Sequence, residues 1–136
     1  MSYDISLVDP VTRKPIELDA PHQMRGGTYC VGGSTTAALN ITYNYAKHFE
    51  RVIAGGSTSE LSQFDRVFGG GDDRGIRLLY GKSGAESIPL LESAVSKLGD
   101  DVDDDYWNAT EGNAKRALLQ LLSLARMRPD GIWKGD

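Results

Sequence analysis

The stretch from Thr110 to Met127 leaves this chain little freedom in how it folds. Ala114, Ala117, Leu118, Leu121, Leu122, Leu124 and Ala125 recur at helical spacing, and Leu119 lies nearly opposite them. Thr110 supplies the N-cap and the helix runs to about Met127. A helix apolar over so much of its circumference belongs at the centre of a domain or in a subunit interface. The 136 residues suit one domain, 1–136, whose single core surrounds that helix. Homo-oligomerisation through the C-terminal helix is the other way to bury it.

The remaining elements follow from punctuation and periodicity. Tyr3 to Val8 reads as a strand and Ile16 to Leu18 as its hairpin partner, with Asp9-Pro10 and Arg13-Lys14-Pro15 as turn chemistry. Pro21 ends the second strand, and Thr28 to Val31 is a short third strand after Gly26-Gly27. Gly32-Gly33 breaks it, and Ser34 or Thr35 caps a helix reaching Ile53, with Ala38, Ile41, Tyr45, Phe49 and Val52 on its apolar stripe. Residues 54–74 form a glycine- and serine-rich excursion in which Leu61, Phe64 and Phe68 keep helical spacing. Ile76 to Tyr80 suits a strand or a helical stub. Ser83 and Glu86 are spaced as a capping box, but Pro89 favours a start near Ser87, with Ile88, Leu91, Val95 and Leu98 facing the core and Gly99 stopping the helix. Pro129-Asp130-Gly131 turns the chain so that Ile132 and Trp133 fold back. The expected fold is α+β: a small antiparallel sheet, the N-terminal hairpin plus a short third strand, packed on three to four helices.

On the 34–53 segment, read as a helix, the face opposite the apolar stripe carries Asn40, Asn44, Lys47 and Arg51, flanked by Tyr43 and His48. Asparagine is a poor helix residue because its amide competes for backbone hydrogen bonds. A merely solvated face would use Glu, Lys, Gln and Ala. These six residues are therefore the candidate recognition surface, a rigid aromatic beside amides and cations. The competing reading has Asn40 and Asn44 locking the fold by bonding the hairpin or the glycine loop.

Several chemistries are disfavoured. A net charge of −4 gives no general attraction to nucleic acid, although the last helix is locally basic. His22 and His48 are the two histidines and Cys30 the single cysteine, so an internal disulfide is impossible and a structural zinc site improbable. Asp101, Asp103 and Asp105 alternate as in a calcium loop, but Tyr106 and Gly112 stand where that loop needs glycine and glutamate. The acidic knot Asp100–Asp105 reads instead as a solvated helix cap or a dock for a basic partner. Val31-Gly32-Gly33-Ser34-Thr35 is a strand, turn and helix start that could hold an anion, without the ending of a nucleotide loop. Tyr45, Tyr80, Tyr106, Trp107 and Trp133 read as core aromatics, Tyr43 as the exception. No cofactor or metal is expected, no run of 18 apolar residues would span a membrane, and the single cysteine suits a reducing cytoplasm.

Two blocks carry a resemblance. Gly26-Gly27-Thr28-Tyr29 through Leu39-Asn40-Ile41-Thr42-Tyr43-Asn44-Tyr45 is one. Gly99-Asp100-Asp101-Val102 through Tyr106-Trp107, Glu111 to Leu118 and Met127-Arg128-Pro129-Asp130-Gly131-Ile132-Trp133 is the other. They resemble small bacteriophage- and prophage-encoded proteins without an assigned activity. That resemblance implies a bacterial or phage-infected cytoplasm and transfers no active site. The leading expectation is a non-enzymatic binding protein, a phage accessory factor or inhibitor engaging a host macromolecule, with a protein partner ahead of nucleic acid. The alternatives are a small phosphorylated-ligand or nucleotide-binding protein or enzyme using Gly32, Gly33, Ser34 and Thr35, and a virion or assembly component.

Overall fold

The computed structural model describes residues 2–22, 34–53, 75–105 and 107–135. The expected strand at 28–31 and the excursion at 54–74 lie outside the described residues. Strand β1, Ser2–Val8, alternates as a half-buried strand should: Tyr3, Ile5 and Leu7 are buried, while Asp4 is exposed. β2 is Glu17–His22, β3 Ser34–Thr36, β4 Ala38–Thr42 and β5 Ile132–Gly135. β1 lies in the middle of a three-stranded antiparallel sheet, between β4 and β5, and β2 pairs with β3 in a second ladder. The register sets Tyr3 opposite Ile41, Ile5 opposite Leu39 and Leu7 opposite Trp133, so one face presents an apolar row to the core.

The first half of the expected 34–53 helix is extended chain. Residues 34–42 form β3 and β4, and helix α1 is confined to Ala46–Val52 after a 3₁₀ turn at Tyr43–Tyr45. The stretch carries two competing periods. Ala37, Leu39 and Ile41 alternate and are buried on the β1 side, and Thr35, Thr36, Ile41 and Thr42 are β-branched. A partner strand decides the contest, because β1 can satisfy this backbone only if it is extended. At Ala37 the chain changes partners. Leu7 N–H donates to the Ala37 carbonyl, Ala37 N–H to Ile16 and Ile16 N–H to Leu7, at 2.9, 2.8 and 2.9 Å. The expected β1–β2 hairpin therefore shrinks to an isolated bridge between Val8 and Pro15, and β2 runs through Pro21 to pair with β3. The C-terminal β5, which the expected sheet did not include, takes the other edge of β1.

Residues Gly75–Leu79 form a second 3₁₀ turn, then come α2, Gly84–Ser96, and α3, Glu111–Met127. The Ser83–Glu86 capping box is made in both directions, so α2 begins before the expected Ser87. Its first amides are met from far away in sequence: Gly84 N–H reaches the Gly131 carbonyl and Ala85 N–H that of Pro129. Pro89 is exposed within the helix. α2 and α3 pack as an antiparallel pair, with Gly84 against the Arg128 carbonyl and Gly99 beside Glu111. α3 buries Ala114, Ala117, Leu118, Leu121, Leu122, Leu124 and Ala125 within the chain itself, leaving Leu119 and Met127 exposed. No described helix is long and apolar enough to cross a membrane.

Candidate functional site

The six expected recognition residues are divided by the strand-to-helix change. Asn40 sits on β4 and donates its amide to the carboxylate of Asp4, its register partner on β1. Tyr43 is half-buried and packs edge-on against Tyr3 at 4.5 Å. The Arg77 guanidinium lies 5.3 and 5.6 Å from those two rings and donates to the Tyr43 hydroxyl at 3.2 Å. Burial is the main influence raising the Tyr3 phenol above its ordinary pKa, with Arg77 opposing it.

Asn44, Lys47, His48 and Arg51 do share one face, and three of them grip the chain. Asn44 Nδ2 donates to the Trp107 carbonyl at 2.9 Å. His48 Nε2 meets the Ala109 carbonyl at 2.8 Å, so that nitrogen carries the proton. Arg51 pairs with Glu111 at 3.2 Å. Glu111 also accepts from Gly99 N–H at 3.1 Å, the chief cause of its carboxyl lying below the ordinary glutamate range, ahead of Arg51. Lys47 is exposed and makes no ion pair among the described residues. Asn44, Lys47 and Arg51 are exposed, yet Asn44 and Arg51, with His48, bond other parts of the chain. This face is largely a seam that holds the segment before α3.

What the seam holds is a tightly built acidic loop. Asn113, buried in the first turn of α3, is its hub. Its side-chain oxygen accepts from Asp103 N–H at 3.0 Å, and its amide donates to the carbonyls of Asp105 and Asn108 at 3.1 and 3.0 Å. Asp103 accepts from Asp105 N–H and the Asn108 amide, and Asp101 accepts from Gly112 N–H. A methyl group on Gly112 would lie 2.5 Å from Val102 N, so glycine is what lets the loop lie this close to α3. Asp100 pairs with Lys115 at 2.6 Å.

On the outside of this loop Val102 is 53% and Trp107 59% exposed, on either side of the exposed Asp104 and Asp105. Trp107 is thus a correction to the expected core aromatics, whereas Tyr45 and Trp133 are buried. Hydrophobicity alone could not find it. The available signal was its position at the end of an aspartate run, where the neighbouring charges resist burial.

The weaker anion site loses its helix. Ser34 and Thr35 belong to β3, and Gly32 and Gly33 lie outside the described residues. Thr35 and Thr36 hydroxyls donate to the two oxygens of Glu17 at 2.6 and 3.2 Å, and a carboxylate there repels an anion. Cys30 is also outside the described residues, and of His22 only its backbone place at the end of β2 is described. Among the described residues no three His, Cys, Asp or Glu converge as a metal site. Around the acidic loop the geometry offers contact chemistry: an exposed indole, an exposed isopropyl group and carboxylates on a rigid frame. Comparison with protein-family models, with curated proteins and with solved structures gives no match.

Proposed function

We propose that this chain is a non-enzymatic binding protein whose contact surface is the acidic loop presenting Val102 and Trp107, rather than the α1 face behind it. The observation that carries this reading is Trp107, 59% exposed on a loop tied down at both ends. Tryptophan is a frequent interface anchor, and a loop already ordered loses little entropy on binding. Aspartates around the indole select a basic protein segment by steering and by excluding like charge. They disfavour nucleic acid, whose phosphates they would face. With the resemblance to phage proteins, the partner is a host macromolecule in a bacterial cytoplasm.

The test is stoichiometric capture from bacterial lysate by immobilised protein, compared with Trp107→Ala and Val102→Ser. Both variants should fold as the parent does and lose the captured partner, and capture should weaken with salt. Undiminished capture by Trp107→Ala would overturn the assignment. Lys47→Ala, which leaves the loop's anchors intact, should retain the partner.

A further inference from the structure

On the sheet face opposite the helices, Asp4, Ser6, Arg13, Pro15 and Lys134 line an open groove of about 360 Å³. A second of about 340 Å³ shares Val8, Arg13, Lys134 and Gly135 with it and continues to Tyr80 and Gly81. Arg13 and Lys134 thus stand at the junction of one groove.

Arg13 holds an uncommon backbone. Its φ is 62°, the only positive value among the described non-glycine residues. It is the last residue of a four-residue loop closed by Asp9 N–H to the Lys14 carbonyl at 2.9 Å, where hairpin loops commonly use glycine. The conformation is imposed by its neighbours. Arg13 N–H donates to the Asp9 carbonyl at 2.8 Å, and the Asp9 carboxylate caps Val11 and Thr12 N–H at 2.8 and 2.9 Å. Glycine would satisfy this backbone without strain, whereas arginine holds it at a conformational cost. Among the described residues neither Arg13 nor Lys134 forms an ion pair. The one acid lining the groove, Asp4, is engaged by Asn40.

We propose that this groove binds the phosphate monoester of a small polyol. The phosphate dianion sits between the Arg13 guanidinium, whose fork matches two phosphate oxygens, and the Lys134 ammonium. Two cations outweigh the one carboxylate on the wall, Asp4, which leaves the groove net positive. The groove runs on past the two cations, and Ser6 and Asp4 on its wall offer hydrogen bonds to the hydroxyls of the ester's body. This site lies apart from the acidic loop, and neither reading depends on the other.

The experiment is calorimetric titration of the full chain with glycerol 3-phosphate at low salt. One saturable site per chain is expected. Arg13→Gly should weaken it at least tenfold, about 1.4 kcal/mol, and melt no lower than the parent, because glycine relieves the left-handed residue. Lys134→Ala should weaken it comparably. Lys97→Ala, which removes one positive charge at the exposed end of α2, should leave it unchanged. The proposal fails if saturation is absent at about 10 mM probe, if Arg13→Gly binds as the parent does, or if Lys97→Ala is as damaging. Inorganic phosphate binding as tightly as the ester would overturn the polyol body.

Discussion

Asn113 shows how one side chain can set a surface it does not belong to. It is 4% exposed, and it bonds one backbone donor and two carbonyls of the loop that carries Val102 and Trp107. Replacing it by alanine leaves three main-chain groups with poorer partners and should cost about 2–3 kcal/mol. Urea unfolding measures that loss, and a change below about half a kcal/mol would mean that water replaces the amide. Glu111 ties the same loop electrostatically. Its carboxyl is held below the ordinary glutamate range, first by Gly99 N–H and then by Arg51. The folded state therefore favours the ionised form. Its stabilisation is complete above the unfolded value of about 4.3 and is lost as pH falls through the lower folded value. Glu111→Gln should be less stable than the parent near neutrality, and the difference should shrink on acidification below that value. A difference independent of pH would show that the charge is not what holds the loop.

At the scale of elements, local signals succeeded where the caps are self-contained. Thr110 caps α3 by accepting from Asn113 N–H at 3.1 Å, as its position before the apolar run implied. The Ser83–Glu86 pair is a complete capping box, with bonds of 3.0 and 2.9 Å. Pro89 misled because a proline deep in a helix usually costs more than a cap returns. Here the turn at Pro129–Gly131 accepts the first two amides of α2 and lengthens it toward its N-terminus. Ser83→Ala should cost about 1 kcal/mol, read as a lower melting temperature without change in far-ultraviolet helicity. A larger effect would mean that the cap also holds the Ser83–Ile132 bridge. The 34–53 segment failed as a helix for the opposite reason. Its stripe at Ala38, Ile41, Tyr45, Phe49 and Val52 spans a strand, a turn and a helix, and Tyr45, Phe49 and Val52 are buried where the 3₁₀ turn Tyr43–Tyr45 leads from β4 into α1.

For the whole molecule, the two ends of the described chain meet in one sheet, β1 flanked by β5. Trp133 is the joint. Its ring is 1% exposed, and its indole N–H donates to Ser87 Oγ at 2.8 Å, while Ser87 donates to the Gly84 carbonyl at 2.7 Å. This buried hydroxyl joins the sheet to the helix pair beside the Ser83–Ile132 bridge and the bond from Trp133 N–H to the Lys82 carbonyl. Trp133→Ala should destabilise by about 3–5 kcal/mol, and Trp133→Phe by less but still measurably, since Ser87 then loses its donor. Equal stability of Trp133→Phe and the parent would show that packing alone makes the joint.

The sequence by itself determined the α+β class, the positions of β1 and α3, the Thr110 cap and the turn back to Trp133, because each depends on residues within a few positions of one another. Tertiary structure alone decided that 34–42 extends along β1 and that β5 closes the sheet. It also decided that Asn44, His48 and Arg51 face a loop about sixty residues onward. Those outcomes depend on which backbone and side-chain groups find partners across long separations, and periodicity along a chain carries no record of its partners.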